Sequence, residues 1–113
     1  AGEFPLPEAI AALKRTLGPE EVDRLRRLSR DAAEAMTDAM RAARPDWSEH
    51  RLAGEGARAL WSRGIDPALI LVGGSRRAMK YRHPLPTLDP IGGFAMMVFC
   101  ARRAGLYACL TRF

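Results

Sequence analysis

The sequence has few residues of the kinds that build covalent scaffolds, metal centres or stacking surfaces. Its 113 residues include two cysteines, two histidines and 7% aromatic residues. Two cysteines cannot form the disulfide framework of a small secreted domain, and they fit a reducing compartment. No run approaches the roughly 18 apolar residues of a membrane span, and the first residues lack the apolar core of a signal peptide. We therefore expect a cytoplasmic chain without a membrane partner.

The formal net charge of +5 comes mainly from arginine. A nucleic-acid-binding protein concentrates such charge on one surface and interleaves aromatic side chains for stacking. Here the arginines are spread along predicted helices and loops, and acidic residues accompany them in the helices. This distribution favours solvated helix faces, and we expect no nucleic-acid partner.

The length allows one domain with a modest core. Residues 1–4, Ala-Gly-Glu-Phe, look like a vector-derived scar, and we leave them out of the predicted fold. Residues 5–18 predict a short leading helix that Gly18 ends. Pro19 then begins a long amphipathic helix that reaches about Ala43, because apolar residues recur there with a period of 3.6 residues.

Helical and extended segments follow in turn through the rest of the chain. Ser48 is expected to cap a further helix that runs to Gly64. The apolar run 69–72 predicts a buried strand, and the Gly-Gly-Ser after it lacks the pattern of a phosphate-binding loop. The segment 81–87 contains two prolines and predicts a stiff, extended loop. With a hairpin at its end, this order predicts an α+β fold in which amphipathic helices cover one face of a mainly antiparallel sheet.

The hairpin is predicted from two apolar runs near the end of the sequence. Phe94–Ala101 and Leu106–Phe113 flank a polar loop of four residues, Arg102–Gly105. Counting outward from that loop pairs Cys100 with Tyr107 and Val98 with Cys109. Because side chains alternate between the faces of a strand, these four side chains are expected to share one face.

The cysteines and the loop histidine are the residues best suited to bind a ligand. A soft metal ion could be bound by the side chains of His83, Cys100 and Cys109. Three such ligands from one loop and one sheet are weak evidence for a metal site, and we expect no bound metal. The predicted register makes the cysteines diagonal neighbours, which argues against a disulfide. His83 has two interpretations, a substrate-binding residue or a loop residue bonded to backbone. No nucleophile–base pair is visible, so no catalytic residue is predicted.

Several features combine into a recognisable pattern. They are a long helix, a Trp-Ser-Glu start to the next helix, a strand ending in Gly-Gly-Ser, a loop histidine and a hairpin ending in Leu-Thr-Arg-Phe. This pattern resembles the pita-bread metallopeptidases, the relatives of methionine aminopeptidase, aminopeptidase P, prolidase and creatinase. The resemblance runs from about Glu21 to Phe113. It implies that residues 19–113 correspond to the N-terminal half of that family's catalytic domain.

The resemblance also implies where a metal site would lie. In that family two metal-binding aspartates stand eleven positions apart on neighbouring antiparallel strands, and the second precedes the arginine of a Leu/Ile-Thr-Arg element by three residues. Arg112 assigns these positions to Val98 and Cys109. The histidine that contacts substrate in the family matches His83. The family's other ligands, a histidine and two glutamates, belong to the second half of that domain, which these residues do not include.

The replaced aspartates decide the expected activity. Two bridged divalent metal ions need carboxylate oxygens, whereas valine offers no ligand and cysteine offers a soft thiolate. We therefore expect a fragment of an Xaa-Pro dipeptidase- or aminopeptidase-like homologue that holds no metal cofactor and hydrolyses nothing by itself. The alternative is a non-catalytic module that binds a peptide or a protein.

A half-domain is also expected to leave part of its sheet uncovered. Phe94, Met96 and Phe99 are then apolar side chains that need cover, and the last strand leaves a free edge. We therefore expect this chain to form a twofold homodimer or to dock with the missing C-terminal half-domain.

Overall fold

A computed structural model of the chain describes residues 4–113, so the first three residues of the predicted vector scar lie outside the described residues. The elements in chain order are helices α1 (Glu8–Arg15), α2 (Pro19–Ala42) and α3 (Glu49–Trp61), followed by strands β1 (Asp66–Gly74), β2 (Ala95–Arg103) and β3 (Leu106–Arg112). The strands form an antiparallel sheet in the order β1-β2-β3. The predicted α+β class is confirmed.

The helices α2 and α3 pack side by side on one face of the sheet, α2 over β2 and β3 and α3 over β1. The molecule measures 52 × 36 × 18 Å, and its smallest dimension is close to one helix layer on one sheet. Fully buried side chains from both layers form the core, among them Leu28, Met36, Leu52, Leu60, Val72, Met97 and Phe99. Within the described residues, no helix is both long enough and apolar enough to cross a membrane.

The leading helix α1 does not join this core, since none of its residues is buried. The prediction that Gly18 ends it is wrong. The helix ends at Arg15 and the chain turns extended at Thr16. Gly18 instead precedes α2, where its N–H donates to Oε2 of Glu21 at 2.7 Å. The position of Pro19 at the start of α2 is confirmed.

Strand β1 is longer than the sequence predicts and is buried in its second half only. It begins at Asp66, and a bulge interrupts its pairing with β2 between Pro67 and Leu69. The residues from Leu71 to Gly74 are buried, whereas Leu69 is 44% exposed. The predicted buried strand is therefore correct for its end and wrong for its beginning.

The hairpin is confirmed, but its predicted loop and register are wrong. The turn has two residues, Ala104 and Gly105, with φ angles of 50° and 78°, so Arg103 pairs with Leu106. Two positive φ angles are typical of a type I′ turn, whose twist matches that of the strands it joins. The true register differs from the predicted one by two residues, which preserves the face of every side chain.

Of the three apolar side chains that we expected to be exposed on the sheet, two are buried within the chain itself. Phe99 is fully buried under the helices, and Met96 is 7% exposed beneath the loop between β1 and β2. Only Phe94 is exposed, and its ring stacks on that of Phe113 with 5.7 Å between centroids. The expectation of three uncovered apolar side chains is wrong for Phe99 and Met96.

Candidate functional site

The candidate site is the sheet face opposite the helices, which we call the open face. Its side chains come from alternate positions of all three strands: Leu69, Val98, Cys100, Tyr107, Cys109 and Thr111. Leu69 is 44% exposed and Tyr107 51% exposed, whereas Phe99 and Ala108 on the helix side are buried. The open face therefore presents apolar groups and two thiols to solvent.

The loop 75–94 covers one end of the open face. A Cβ atom added to Gly73 would lie 2.8 Å from Cγ of Pro84, so the proline ring rests directly on the strand at this point. The carbonyl of Pro84 also accepts a hydrogen bond of 3.2 Å from the N–H of Val72. His83 immediately precedes this contact and is exposed. The structure thus brings the loop of His83 to the sheet face that carries Val98 and Cys109, and its role stays a prediction.

Val98 and Cys109 lie on this face but are not directly paired. Val98 pairs with Thr111, and Cys109 pairs with Cys100, so the two positions are diagonal neighbours on adjacent strands. The predicted direct pairing is wrong because the turn is two residues shorter than expected. Within residues 4–113, no cluster of three or more His, Cys, Asp or Glu side chains is placed to hold a metal ion.

The two thiols form the closest polar contact on the open face. Their Sγ atoms lie 3.1 Å apart, with Cys100 partly buried and Cys109 exposed. The hydrogen bond to Cys109, together with burial and the neighbouring charge of Cys109, raises the pKa of Cys100. Cys100 therefore holds its proton. The sequence-based expectation of a diagonal cysteine pair is wrong for the same reason as the register.

A buried carboxylate, which the sequence analysis missed, anchors the loop beside the open face. Glu49 is the first residue of α3 and is fully buried. Its Oε1 accepts from the N–H of Gly74 at 2.8 Å. Its Oε2 accepts from the N–H and Oγ1 of Thr87, at 2.9 and 2.8 Å, and from the guanidinium of Arg77. One side chain thus joins α3, the end of β1 and both arms of the loop.

The surroundings of Glu49 keep it ionised. Burial raises the pKa of its carboxyl, but the hydrogen bonds from Gly74 and Thr87 and the charge of Arg77 together outweigh burial and leave that pKa below 4.5. The sequence does contain a signal of its burial. Glu49 falls on the same helical stripe as the buried Leu52, Gly56 and Ala59, although Glu49 also suits an exposed first turn after Ser48.

Among the described residues, the open face offers contact surface. The one buried carboxylate is saturated with donors, and the histidine and thiols form no cluster that could hold a metal. The open face supplies apolar contact area, two thiols and a neighbouring histidine loop. No protein-family model matches the chain, and no curated protein matches it either.

Proposed function

We propose that the chain is a non-hydrolytic relative of the pita-bread metallopeptidases, with residues 19–113 corresponding to the N-terminal half of the catalytic domain. One observation carries the proposal. The positions that the resemblance assigns to the two metal-binding aspartates, Val98 and Cys109, are neighbours on one uncovered face of adjacent antiparallel strands. Two positions chosen at random would seldom lie on adjacent strands, on the same face of the sheet, and on the face that no helix covers.

The neighbouring loop supports the same assignment. His83, the match for the family's substrate-contacting histidine, belongs to the loop whose Pro84 packs over Gly73 on that face. In this proposal the open face corresponds to the floor of an Xaa-Pro peptidase cleft, and His83 would contact a bound peptide. A content of two cysteines suits a reducing compartment, which supports a cytoplasmic location.

The same two positions are the reason why we expect no hydrolysis. A pair of bridged divalent ions is held by oxygen ligands, and the aliphatic side chain of Val98 has none. A thiolate at Cys109 is a soft ligand that disfavours Mg²⁺ or Mn²⁺. The proposed protein therefore keeps the geometry of the cleft without the groups that would activate water.

Restoring both carboxylates is expected to create a weak site for Mn²⁺. We expect the double variant Val98→Asp/Cys109→Asp to bind Mn²⁺ about tenfold more tightly than the unmodified chain, since two carboxylates on neighbouring strands replace an aliphatic group and a thiol. Electron paramagnetic resonance of free Mn²⁺ measures the binding.

A matched variant places the same carboxylates on the opposite diagonal of the same face. Cys100→Asp/Thr111→Asp adds equal charge to the same two strands, so any general attraction of cations is the same. Equal binding by the two double variants would contradict the assigned positions. Hydrolysis of an Xaa-Pro dipeptide by the unmodified chain with Mn²⁺, above a metal-free blank, would overturn the non-hydrolytic assignment.

The source gene offers a direct test of ancestry. We expect the reading frame beyond the codon for Phe113 to encode further strands that carry a histidine and two glutamates, the ligands of the second half of the family's domain. A continuing frame that encodes an unrelated fold would contradict the proposed relationship.

Among the described residues, β3 pairs only with β2, and its unpaired outer edge favours a second function, self-association. We infer that a second copy of the chain pairs with this edge about a twofold axis. In the hairpin, every second residue of β3 directs its backbone N–H and C=O groups toward β2, beginning with Leu106 and ending with Arg112. The residues between them direct their N–H groups outward, away from the sheet: Tyr107, Cys109 and Thr111. An antiparallel edge pairs readily with a copy of itself, and this pairing would satisfy the outward groups of both copies.

Replacing Thr111 with proline is expected to shift the chain from dimer to monomer. Proline removes an outward N–H and is tolerated on an edge strand, so the hairpin itself is retained. Light scattering across a hundredfold range of concentration measures the mass. Thr111→Val keeps the N–H and is the matched control, expected to dimerise like the unmodified chain. A monomeric mass for the unmodified chain throughout would contradict self-association.

A further inference from the structure

The cysteines occupy directly opposed positions on the open face. Cys100 on β2 is the register partner of Cys109 on β3, and their Sγ atoms lie 3.1 Å apart. This distance reflects backbone positions that the hairpin imposes. A disulfide between neighbouring strands needs just such opposed positions, with Cα atoms between about 4.4 and 6.8 Å apart.

The two-residue turn determines which kind of opposed pair the cysteines form. Arg103 and Leu106 flank the turn, and a β-turn is closed by the hydrogen bond between its first and last residues. Hydrogen-bonded and non-hydrogen-bonded pairs alternate along an antiparallel ladder. Arg103 and Leu106 form a hydrogen-bonded pair, and Cys100 and Cys109 are the third pair along the ladder from it. They are therefore a non-hydrogen-bonded pair, whose Cα atoms are about 4.5 Å apart. This spacing lies within the range that a disulfide accepts.

Both thiols can be reached from solvent. Cys109 is exposed, and Cys100 lies beside it, partly covered by its neighbours. Leu69, which pairs with Cys100 on its other side, is itself 44% exposed and leaves the approach open. The chain has two cysteines in all, so neither thiol has another cysteine of the chain to pair with.

We propose that Cys100 and Cys109 form a reversible modification site, a dithiol that low-molecular-weight disulfides of the glutathione class oxidise to a disulfide across the hairpin. Cys109 loses its proton to solvent and its thiolate attacks one sulfur of the small disulfide; that S–S bond breaks, and the first small thiolate leaves and takes up a proton. Cys100 then loses its proton to solvent and attacks Sγ of Cys109. The mixed disulfide breaks and the second small thiol leaves, taking up a proton. One small disulfide is consumed and two small thiols are released.

The bond would join β2 to β3 across the open face. It closes a short loop, because the cysteines are nine positions apart in the chain, and it restricts the unfolded chain. The oxidised protein is therefore expected to unfold at a higher temperature than the reduced protein, by about 10 °C. This inference does not depend on the proposed peptidase ancestry, since it uses only the hairpin and its two thiols.

The test equilibrates the folded chain with buffers of oxidised and reduced glutathione, then alkylates it and measures its mass. We expect both thiols to disappear together in a monomeric chain that has lost two hydrogens. We expect Cys100→Ser to stop at the mixed disulfide on Cys109. Retention of two alkylatable thiols in excess oxidised glutathione would overturn the proposal, and so would disulfides formed only between chains.

A matched variant keeps two thiols on the same face but moves one to a diagonal position. Cys109→Ser/Thr111→Cys places the second thiol two residues along β3, where the Cα separation from Cys100 is about 7–8 Å. Bridging that distance requires backbone movement. We expect its equilibrium constant for disulfide formation to be at least about tenfold lower than that of the unmodified chain. Equal constants would show that the register does not create the site and would overturn the proposal.

Discussion

Replacing Glu49 with glutamine is expected to lower the free energy of unfolding by about 3 kcal/mol at neutral pH. The carboxylate receives four donors, from Gly74, Arg77 and Thr87. The glutamine side chain keeps one acceptor oxygen, but its NH₂ group replaces the other oxygen and faces N–H and O–H donors with which it cannot form hydrogen bonds. It also removes the negative charge that faces the largely buried guanidinium of Arg77, which keeps only neutral acceptors such as the carbonyl of Leu85 at 2.9 Å. Urea unfolding followed by far-UV circular dichroism measures the change.

The effect of this substitution is expected to depend on pH. Because the folded protein holds the pKa of Glu49 below 4.5, the unfolded chain takes up the proton first as the pH falls. The stabilisation by ionised Glu49 is complete above its unfolded pKa and is lost as the pH falls from about 4.5 through the lower folded value. The difference in stability between the unmodified chain and Glu49→Gln should therefore be constant at neutral pH and shrink as the pH falls below about 4.5.

A second glutamate on the same helix provides the control. Glu55 pairs with Arg58 near the surface of α3, where Arg58 is exposed and Glu55 is partly exposed. Exposed pairs of this spacing contribute about 0.3–0.5 kcal/mol, so Glu55→Gln should change stability by no more than about 0.5 kcal/mol. Equal losses for the two variants, or a loss at Glu49 that does not vary with pH, would contradict the anchoring role assigned to Glu49.

Replacing Gly56 with alanine is expected to lower the free energy of unfolding by about 2 kcal/mol. Gly56 faces the sheet at the closest approach of α3, and an added Cβ would lie 2.8 Å from Cε1 of Phe99 and 3.3 Å from Cε of Met97. Both side chains are fully buried, so neither can move without displacing its own neighbours. The helix must shift away from the sheet, and urea unfolding measures the cost.

Gly54 is the matched control for this effect, because it lies on the same helix two residues earlier. An added Cβ at Gly54 meets no atom within 4 Å. Gly54→Ala should therefore show only the higher helix propensity of alanine and raise stability by about 0.5–1 kcal/mol. The two substitutions are chemically identical and are expected to have opposite signs. A stabilised Gly56→Ala variant would mean that α3 does not rest on Phe99 as closely as the structure shows.

Both predictions concern the support of the open face. Glu49 ties α3 to the loop that carries His83 and Pro84, and Gly56 sets the distance between α3 and the sheet. Loss of either contact is expected to disturb the geometry of the open face without touching the residues on it.

Local patterns in the sequence were sufficient to predict most of the elements. The period of the apolar residues predicts α2, Pro19 its beginning and Ser48 the cap of α3, and all three are confirmed. The assignment of Val98 and Cys109 to one face is also correct. Side chains alternate along a strand, so a register error of two residues leaves every face unchanged.

Tertiary contacts decided what the local pattern left open. The pairing of Cys100 with Cys109 depends on whether the turn contains two residues or four, and both lengths fit the same apolar runs. The burial of Glu49 depends on donors that stand 25 to 38 positions away in the chain, and no neighbour in sequence indicates them. Secondary structure follows from preferences of adjacent residues. Register and buried charge follow from the free energy of groups that meet only when the chain has folded.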